Sequence, residues 1–557
     1  MSTAPPRGRQ AGPCLRPPDP HTAKSDRAIR GGLWYSLHRW ASLPLWILLF
    51  FVCVTGTLAT VSHEITWLIN PDVRAGQGDT AAHVGYDRIA GAVTDRWPQA
   101  AIHSIQENEP YLASRVSVSL PEGGHATVYV NPYSGEIQGL SRGVTFPDFM
   151  RALHGWLLVP WHNGRSWGYY LVGLLALPLL FSLITALVVD KRFWRSFYRP
   201  YIRTRLTRRI FWSDLHRVIG TWSIWFVAVI GLTGGFYFVQ GLLWDNDVVI
   251  LPPAPMIEHE ALPVVEGGAP EQVGIDTAVA RARDAIPGLD LRWISLPESG
   301  YHHTEVYGQA GFPLQSDFSV AAFINPYTGE LGGSRDVGDM TALMWLEGLT
   351  DPLHFGDFAG LFSKLIWFIF GAMLSLMIFS GMLVWHKRTA PVKDRAYRRR
   401  RPGRRDGMSM RWSRFKYHVN AALLFLPLYF LVTTLTTGTE AEGSATLLAP
   451  KSVGPWQVAP KAAGHWPPRP GQELDMTVRF DAGPVAQIRT AVLTIGDQAP
   501  AVADLLSPAA GLLHGGEVLR EAHVPIPAEM PANATLWLTV ERWDGSLHHV
   551  SWSLDAA

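Results

Sequence analysis

Two stretches of six residues, WYSLHR at positions 34–39 and WSDLHR at positions 212–217, open two similar halves of the chain. Seventeen residues after each histidine the dipeptide Thr-Gly follows, beginning at Thr55 and at Thr233. Three more landmarks recur in the same order: YVNPYSGE (129–136) with FINPYTGE (323–330), LHG (153–155) with LHFG (353–356), and LVVDKR (187–192) with LVWHKR (383–388). This shared order predicts an internal repeat that fixes the architecture of residues 34–388.

The apolar segments between these landmarks predict a membrane protein. The chain has 557 residues, a mean hydropathy of +0.07, and only 17% charged residues. A bilayer-spanning helix needs ~20 apolar residues, and five uncharged stretches meet this requirement, at 41–62, 166–189, 218–243, 365–385 and 419–439. Tryptophans near their ends, at positions 40, 167, 244 and 385, are typical of the membrane interface.

Basic residues predict how these spans are oriented. The loop at 191–209 carries eight Lys and Arg and no acidic residue, and the loop at 387–416 carries thirteen against two aspartates. Basic loops stay in the cytoplasm. We therefore expect a bacterial inner-membrane protein with a disordered cytoplasmic tail over residues 1–32, a cytoplasmic N-terminus and a periplasmic C-terminus.

Both repeats begin and end in the cytoplasm, so they are parallel. Parallel repeats pack about a pseudo-two-fold axis along the membrane normal. The predicted organisation after the tail is a first membrane helix (33–66), a first outer domain (67–145), a second helix with a preceding outer helix (146–190), a basic loop (191–211), a third helix (212–243), a second outer domain (244–340), a fourth helix with a preceding outer segment (341–386), a basic loop (387–416), a fifth helix (417–439) and an outer β domain (440–557).

The outer segments predict two α+β domains and one all-β domain. In the first domain a helical pattern at 86–97 precedes alternating strands at 115–120 and 126–130. In the second domain a helical pattern at 275–286 precedes strands at 291–295, 303–307 and 318–324. Residues 440–557 contain several predicted strands separated by Pro- and Gly-rich turns, which favours a small β-sandwich. The fold class is thus a polytopic α-helical membrane protein with about five membrane helices and three periplasmic domains.

The helix-then-strands unit that ends in Asn-Pro-x-[Ser/Thr]-Gly-Glu resembles a PepSY domain. Together with Leu-His-Arg at the start of a helix and Leu-His before the return helix, residues 32–388 resemble the PepSY-associated transmembrane family. The sequence SHEITWL at 62–68 is similar to members of the iron-uptake type, which reduce ferric siderophores. The resemblance implies a di-haem b-type oxidoreductase, whereas the spacing of the histidines only permits haem.

Four histidines occupy equivalent positions in the two repeats. His38 and His216 are predicted at the cytoplasmic helix ends, and His154 and His354 at outer positions before the return helices. Two imidazoles on opposite faces of a haem make an electron-transfer centre, and the pseudo-two-fold axis would bring each pair together. From His38 to His63 a continuous helix would measure about 37 Å, which favours one haem b near each membrane face over a single haem.

Other residues remain alternatives or possible partners in this plan. His386 at the inner face and His63 at the outer face are alternate ligands, and His418 could also reach the inner site. Arg39 and Arg217 follow the inner histidines and could pair with haem propionates, although positive-inside anchoring explains them equally well. Asp214 could hydrogen-bond the ring of His216 or cap the helix start.

The expected activity is electron transfer to siderophore-bound Fe(III) on the periplasmic side. The electron donor would be a quinol or a cytoplasmic reductase, the other contact is membrane lipid, and no nucleic-acid partner is expected. The two cysteines, Cys14 and Cys53, form no haem-attachment motif, and no Gly-x-Gly-x-x-Gly or Walker motif follows a strand. Two other hypotheses are a cofactor-free PepSY sensor or binding protein, and a transporter of iron chelates.

Overall fold

The computed structural model describes residues 33–34, 37–38, 45–76, 82–161, 164–190, 193–389 with side chains to 385, 418–419, 421–433, 445–463, 466–507 and 510–554. The predicted tail at 1–32 and most of the second basic loop lie outside these residues.

Apolar helices form the membrane part of the protein. Among the described residues, three are long and apolar enough to cross a bilayer, at Trp167–Val189, Ile224–Trp244 and Gly360–Trp385. A fourth candidate is the pair Trp46–Thr60 and Ser62–Ile69, which is bent by 58°. The described part of the predicted fifth span is the shorter helix Ala421–Thr433. Three of the predicted spans therefore coincide with apolar helices of sufficient length, the first coincides with the bent pair, and the fifth stays a prediction.

The helices, numbered in chain order, are α1 Trp46–Thr60, α2 Ser62–Ile69, α3 Tyr86–Arg96, α4 Phe146–Gly155, α5 Trp167–Leu174, α6 Ala176–Val189, α7 Phe193–Tyr198, α8 Arg208–Trp222, α9 Ile224–Trp244, α10 Ile275–Ala285, α11 Ala342–Phe355, α12 Gly360–Thr389 and α13 Ala421–Thr433.

The membrane helices pack in two equivalent pairs. Helix α1 of the first repeat packs on α12 of the second, and α9 of the second packs on α5 and α6 of the first. Glycines allow this close approach: a Cβ at Gly371 would lie 2.6 Å from Thr57 Oγ1, and one at Gly173 would lie 2.9 Å from the Cβ of Phe238. Small residues at such contacts are characteristic of membrane helix packing. Exchange of the repeats turns one pair into the other, as the predicted pseudo-two-fold axis requires.

The outer parts of both repeats share one eight-stranded sheet rather than forming two separate domains. Its order is β4-β3-β2-β1-β5-β6-β7-β8, and the central strands β1 and β5 pair antiparallel. Helices α3 and α10 pack on it over a common apolar core. The strands are β1 Ala101–Gln106, β2 Ser114–Ser119, β3 His125–Val130, β4 Ile137–Arg142, β5 Asp290–Ser295, β6 Thr304–Gln309, β7 Val320–Ile324 and β8 Leu331–Arg335.

Helices α3 and α10 cap each other's N-termini across the pseudo-two-fold axis. Asp276 of α10 accepts a hydrogen bond of 2.6 Å from the backbone N–H of Tyr86, and Asp87 of α3 accepts one of 2.7 Å from the N–H of Ile275. The residues before the helices are glycines because a Cβ at Gly85 would lie 2.2 Å from a carboxylate oxygen of Asp276. The first N–H groups of a helix have no hydrogen-bond acceptor within that helix. Each repeat therefore supplies a carboxylate acceptor to the helix of the other repeat.

The C-terminal domain is a sandwich of two antiparallel sheets, as predicted. One sheet has the order β10-β11-β12-β16-β15 with β9 beside β11, the other has the order β14-β13-β17-β18, and both contribute to one apolar core. The strands are β9 Thr446–Leu447, β10 Lys451–Val453, β11 Trp456–Ala462, β12 Glu473–Ala482, β13 Ile488–Gly496, β14 Gly511–Leu512, β15 His514–Gly515, β16 Leu519–Pro525, β17 Thr535–Arg542 and β18 Leu547–Ser553.

A buried ion pair within the sandwich contacts the second repeat. Arg489 Nη1 lies 3.0 Å from Glu541 Oε1, and both side chains are almost fully buried. The hydroxyl of Tyr301 donates to Glu541 over 2.8 Å, and Arg489 donates to the carbonyl of Pro263 over 3.0 Å. The sandwich therefore lies on the same side of the membrane as the eight-stranded sheet.

Candidate functional site

The structure brings the two outer histidines together. His154 ends α4 and His354 lies near the end of α11, and their ring centroids are 6.1 Å apart with an angle of 35° between the ring planes. His154 Nδ1 lies 3.0 Å from the carbonyl oxygen of Val52 in α1. His354 Nδ1 lies 2.8 Å from Thr233 Oγ1 in α9. Each ring is thus held through Nδ1 by the first membrane helix of its own repeat.

The Thr-Gly landmarks now have a structural reason. Thr55 Oγ1 donates to the same Val52 carbonyl that His154 contacts, and Thr233 contacts His354 directly. A Cβ at Gly56 would lie 2.5 Å from the His154 ring, so only glycine leaves room for this imidazole. The Thr-Gly dipeptide recurs seventeen residues after each inner histidine because it lies against the outer histidine of the same repeat.

The inner histidines are held in the same manner by the return helices. His38 Nδ1 lies 3.1 Å from the carbonyl oxygen of Ser182 and 2.9 Å from Thr185 Oγ1, both in α6. His216 Nδ1 lies 2.8 Å from the carbonyl oxygen of Met377 and 3.2 Å from Ser380 Oγ, both in α12. Each inner ring therefore contacts a carbonyl and a hydroxyl three residues apart on one helix face.

The basic and acidic neighbours of His216 have other partners. Asp214 accepts from Arg203 Nε at 2.7 Å and from Arg203 Nη2 at 2.8 Å, and it lies inside α8, which begins at Arg208. The expectation that Asp214 holds the ring of His216 or caps the helix is therefore wrong. Arg217 donates to the carbonyl of Tyr201 over 3.3 Å, and Arg39 lies outside the described residues.

The alternate ligands are distributed differently. His63 follows the bend between α1 and α2 and lines the outer cavity. The bend lies only two residues before His63, and residues 39–44 lie outside the described part, so the separation of about 37 Å from His38 to His63 stays a prediction. His386 belongs to α12, but its side chain lies outside the described part, and the side chain of His418 is exposed.

A cavity of about 620 Å³ opens beside the outer pair, a volume typical of small-molecule and cofactor sites. His63, His154, His354, Phe226, Phe355 and Trp367 line it together with charged groups from the eight-stranded sheet. Burial and then the nearby negative charge of Asp317 raise the pKa of Asp357, in the same wall, to about 7.

Sequence reasoning missed a cluster of charges in this wall. Lys364 Nζ in the first turns of α12 lies 3.1 Å from Glu64 Oε1 and 3.4 Å from Glu109 Oε1, and all three side chains are largely buried. Tyr111 donates to Glu64 over 2.8 Å. Glu64 lies in the quoted stretch at 62–68, but Lys364 and Glu109 are far apart in sequence, so only the fold reveals this cluster.

The separation of the two outer histidine rings is compatible with both of them binding one haem iron. Metal–imidazole bonds are ~2 Å long, and the ring centre lies roughly 1 Å further along, so two imidazoles on one metal have centroids roughly 6 Å apart, as His154 and His354 do. A hydrogen bond at one ring nitrogen leaves the other as the ligand. The hydrogen bonds described above for His38, His154, His216 and His354 all involve Nδ1.

Two protein families match this chain, one over the two repeats and the other over the C-terminal part. A family described as the PepSY-associated TM region matches residues 35–388. A second family, described only as an uncharacterised conserved protein, matches residues 411–555. No curated protein matches the chain. Since the first match spans more than half of the residues, including both repeats, the chain is a membrane protein that belongs to the PepSY-associated transmembrane family.

Proposed function

We propose that this protein is a haem-containing electron-transfer protein of the bacterial inner membrane that reduces siderophore-bound Fe(III) on the periplasmic side. The observation that carries the proposal is the facing pair His154 and His354, with ring centroids 6.1 Å apart and both Nδ1 atoms engaged. Such a pair, beside a cavity open towards the outer sheet, can hold a haem near the place where a chelate would arrive.

His154 and His354 would hold one haem b, and His38 and His216 the second. Bound haem supplies reversible one-electron transfer. Hydrogen bonds to Val52, Thr233, and the hydroxyls of Thr185 and Ser380 fix the ring orientations, and such contacts also raise the basicity of the ligand. Two histidines for each haem would suit it to electron transfer rather than to binding the substrate.

The outer cavity is suited to a charged iron chelate. Arg115, Arg151, Arg292 and Lys364 line it together with several carboxylates, and Trp367 and Phe226 provide apolar surface. Fe(III) is a hard ion that siderophore oxygens bind tightly, and one electron converts it to softer Fe(II), which they bind less well. In this proposal the electron comes from a quinol or a cytoplasmic reductase and enters through the inner pair.

A reduced-minus-oxidised absorption spectrum tests the haem part of the proposal. Full-length protein produced with ample haem should show a bis-histidine b-type signature. We expect His154→Ala and His38→Ala to lose different haem components, and the control His549→Ala, an exposed histidine of the sandwich, to lose neither. Wild-type protein without haem, or unchanged spectra in both site variants, would reject the proposal and favour a cofactor-free PepSY binding protein.

The substrate part needs a second measurement. The reduced wild-type protein should be reoxidised by a ferric siderophore, with one Fe(II) trapped by a chromogenic chelator for each electron released. A haem-loaded protein that stays reduced in the presence of several ferric siderophores would retain electron transfer and exclude this substrate class.

A further inference from the structure

We propose a second metal site, for a divalent transition ion such as Zn²⁺, formed by His103, Glu298 and His514 where the eight-stranded sheet meets the C-terminal sandwich. His103 lies on β1, Glu298 follows β5, and His514 begins β15. The site is distant in sequence from the four candidate haem ligands, and the inference does not rest on the proposed function.

The three donor atoms converge from three elements of the fold. One nitrogen or oxygen from each residue lies within 4.8 Å of the other two, and His103 Nδ1 lies 3.9 Å from Glu298 Oε1. Tetrahedral coordination with bonds of ~2.0–2.1 Å places ligand atoms roughly 3.3 Å apart. The necessary closure, of up to about 1.5 Å, is accessible because Glu298 is exposed and His514 lies in a strand of two residues.

A hydrogen bond orients the innermost ligand. His103 Nε2 lies 2.7 Å from Ser119 Oγ on the neighbouring strand β2. When Nε2–H donates to this hydroxyl, Nδ1 carries the lone pair and faces Glu298. Metal-bound histidines nearly always have such a contact at the second ring nitrogen. Among the described residues, the side chains of Glu298 and His514 have no hydrogen-bond partner that would compete with an ion.

The surrounding groups are already paired, which limits the ligand set to three. His125 Nε2 lies 3.4 Å from Glu521, and His523 Nδ1 lies 2.6 Å from Asp475. Two imidazoles and one carboxylate favour Zn²⁺ or a similar transition ion, whereas Ca²⁺ and Mg²⁺ prefer oxygen alone. Three protein ligands leave a fourth position for water. The bound ion would connect the sandwich to the sheet.

Metal titration of the full-length protein in detergent tests the site. The protein is purified without a polyhistidine tag, treated with a chelator, and titrated with Zn²⁺ by calorimetry and with Co²⁺ by visible absorption. We expect one strong site in the wild type, with the Co²⁺ spectrum of a four-coordinate N/O site. His514→Ala and Glu298→Gln should weaken binding by at least ~10-fold, and Ser119→Ala by about 10-fold.

The control His549→Ala removes an exposed histidine of the same domain and should bind as the wild type does. Equal affinities for His514→Ala and His549→Ala, or no saturable binding by the wild type, would overturn the site. The haem spectrum is recorded on the same samples: the metal-site variants should keep it, so failure of this inference and failure of the proposed function are distinguishable. Folding of each variant is checked by its thermal unfolding in the absence of metal.

Discussion

At Gly56 the backbone of the first membrane helix touches the imidazole of His154, whereas the equivalent glycine leaves more room. A Cβ at Gly56 would lie 2.5 Å from His154 Cε1, and one at Gly234 would lie 3.9 Å from His354 Cε1, an ordinary contact. We therefore expect Gly56→Ala to displace His154 and reduce the haem-to-protein ratio by up to half, while Gly234→Ala keeps it. Pyridine haemochrome analysis measures this ratio, and equal haem content in the two variants would contradict the assignment of His154.

Glu347 on α11 should make stability depend on pH. Burial and then the negative charge of Asp351 raise its pKa from 4.5 to about 7, and its Oε2 is buried without a partner. The folded chain thus binds more protons than the unfolded chain between about pH 4.5 and 7, so the free energy of unfolding falls as pH rises through this window, by at most ~1.4 kcal/mol per pH unit.

The substitution Glu347→Gln should remove this contribution because the amide keeps the contact with Gln240 and does not ionise. Thermal unfolding from pH 5 to 8 measures the effect. The exposed Glu258→Gln serves as the control and should retain the wild-type slope. A slope that is the same in both variants would show that Glu347 is ionised throughout this range.

At the scale of single residues, the sequence predicted that the outer histidines lie together, but it did not predict the groups that hold the histidine rings. The four equivalent positions followed from the repeat, because the same short motifs occur in the same order in both halves of the sequence. The partners Val52, Ser182 and Met377 act through backbone carbonyls. A carbonyl is common to all residue types, so no sequence pattern marks it.

The aspartate caps that each repeat supplies to the helix of the other should contribute measurably to the stability of the protein. Replacement of a helix-capping aspartate by alanine typically costs ~1 kcal/mol. We expect Asp87→Ala and Asp276→Ala each to lower the free energy of unfolding by about this amount, since each removes a cap from the other repeat's helix. Asp95→Ala, on the exposed face of α3, should change it by less than ~0.5 kcal/mol. Similar losses in all three variants would argue against the caps.

The ion pairs of the sandwich differ in burial, and this difference predicts their contributions. Removing one partner of a buried pair leaves an uncompensated charge and costs ~3–5 kcal/mol, which we expect for Glu541→Ala. Exposed pairs contribute ~0–1 kcal/mol, which we expect for Asp481→Ala, the partner of Arg479. Limited proteolysis and thermal unfolding of the full chain report both effects, and equal sensitivity would contradict the interdomain role of Glu541.

The helices and five of the eight strands of the outer sheet were predicted, whereas both edge strands and β1 were not. The pattern at 86–97 corresponds to Tyr86–Arg96, and that at 275–286 to Ile275–Ala285. The edge strands Ile137–Arg142 and Leu331–Arg335 were missed, since they contain glycines and little apolar alternation. Strand β1 was missed because its central place depends on pairing with β5, almost two hundred residues away.

For the whole molecule, contacts between domains constrain the topology. The sandwich contacts the second repeat through Tyr301 and Glu541, so we expect the chain to cross the membrane once more after α12. Of the described residues, the helix Ala421–Thr433 supplies the only apolar segment in that interval. Alkaline phosphatase fused after residue 557 should be active and a fusion after residue 400 inactive. Activity at both positions would exclude a fifth crossing.

The pairing of β1 with β5 has a further consequence for the origin of the chain. Antiparallel pairing of equivalent strands, with reciprocal Asp87 and Asp276 caps, is the isologous contact by which two identical subunits form a C₂ dimer. The covalent link between the halves has made an association step intramolecular. Each half accordingly retains a self-complementary edge, and an ancestral single-repeat protein would have assembled as a homodimer, acquiring its facing histidines only upon dimerisation.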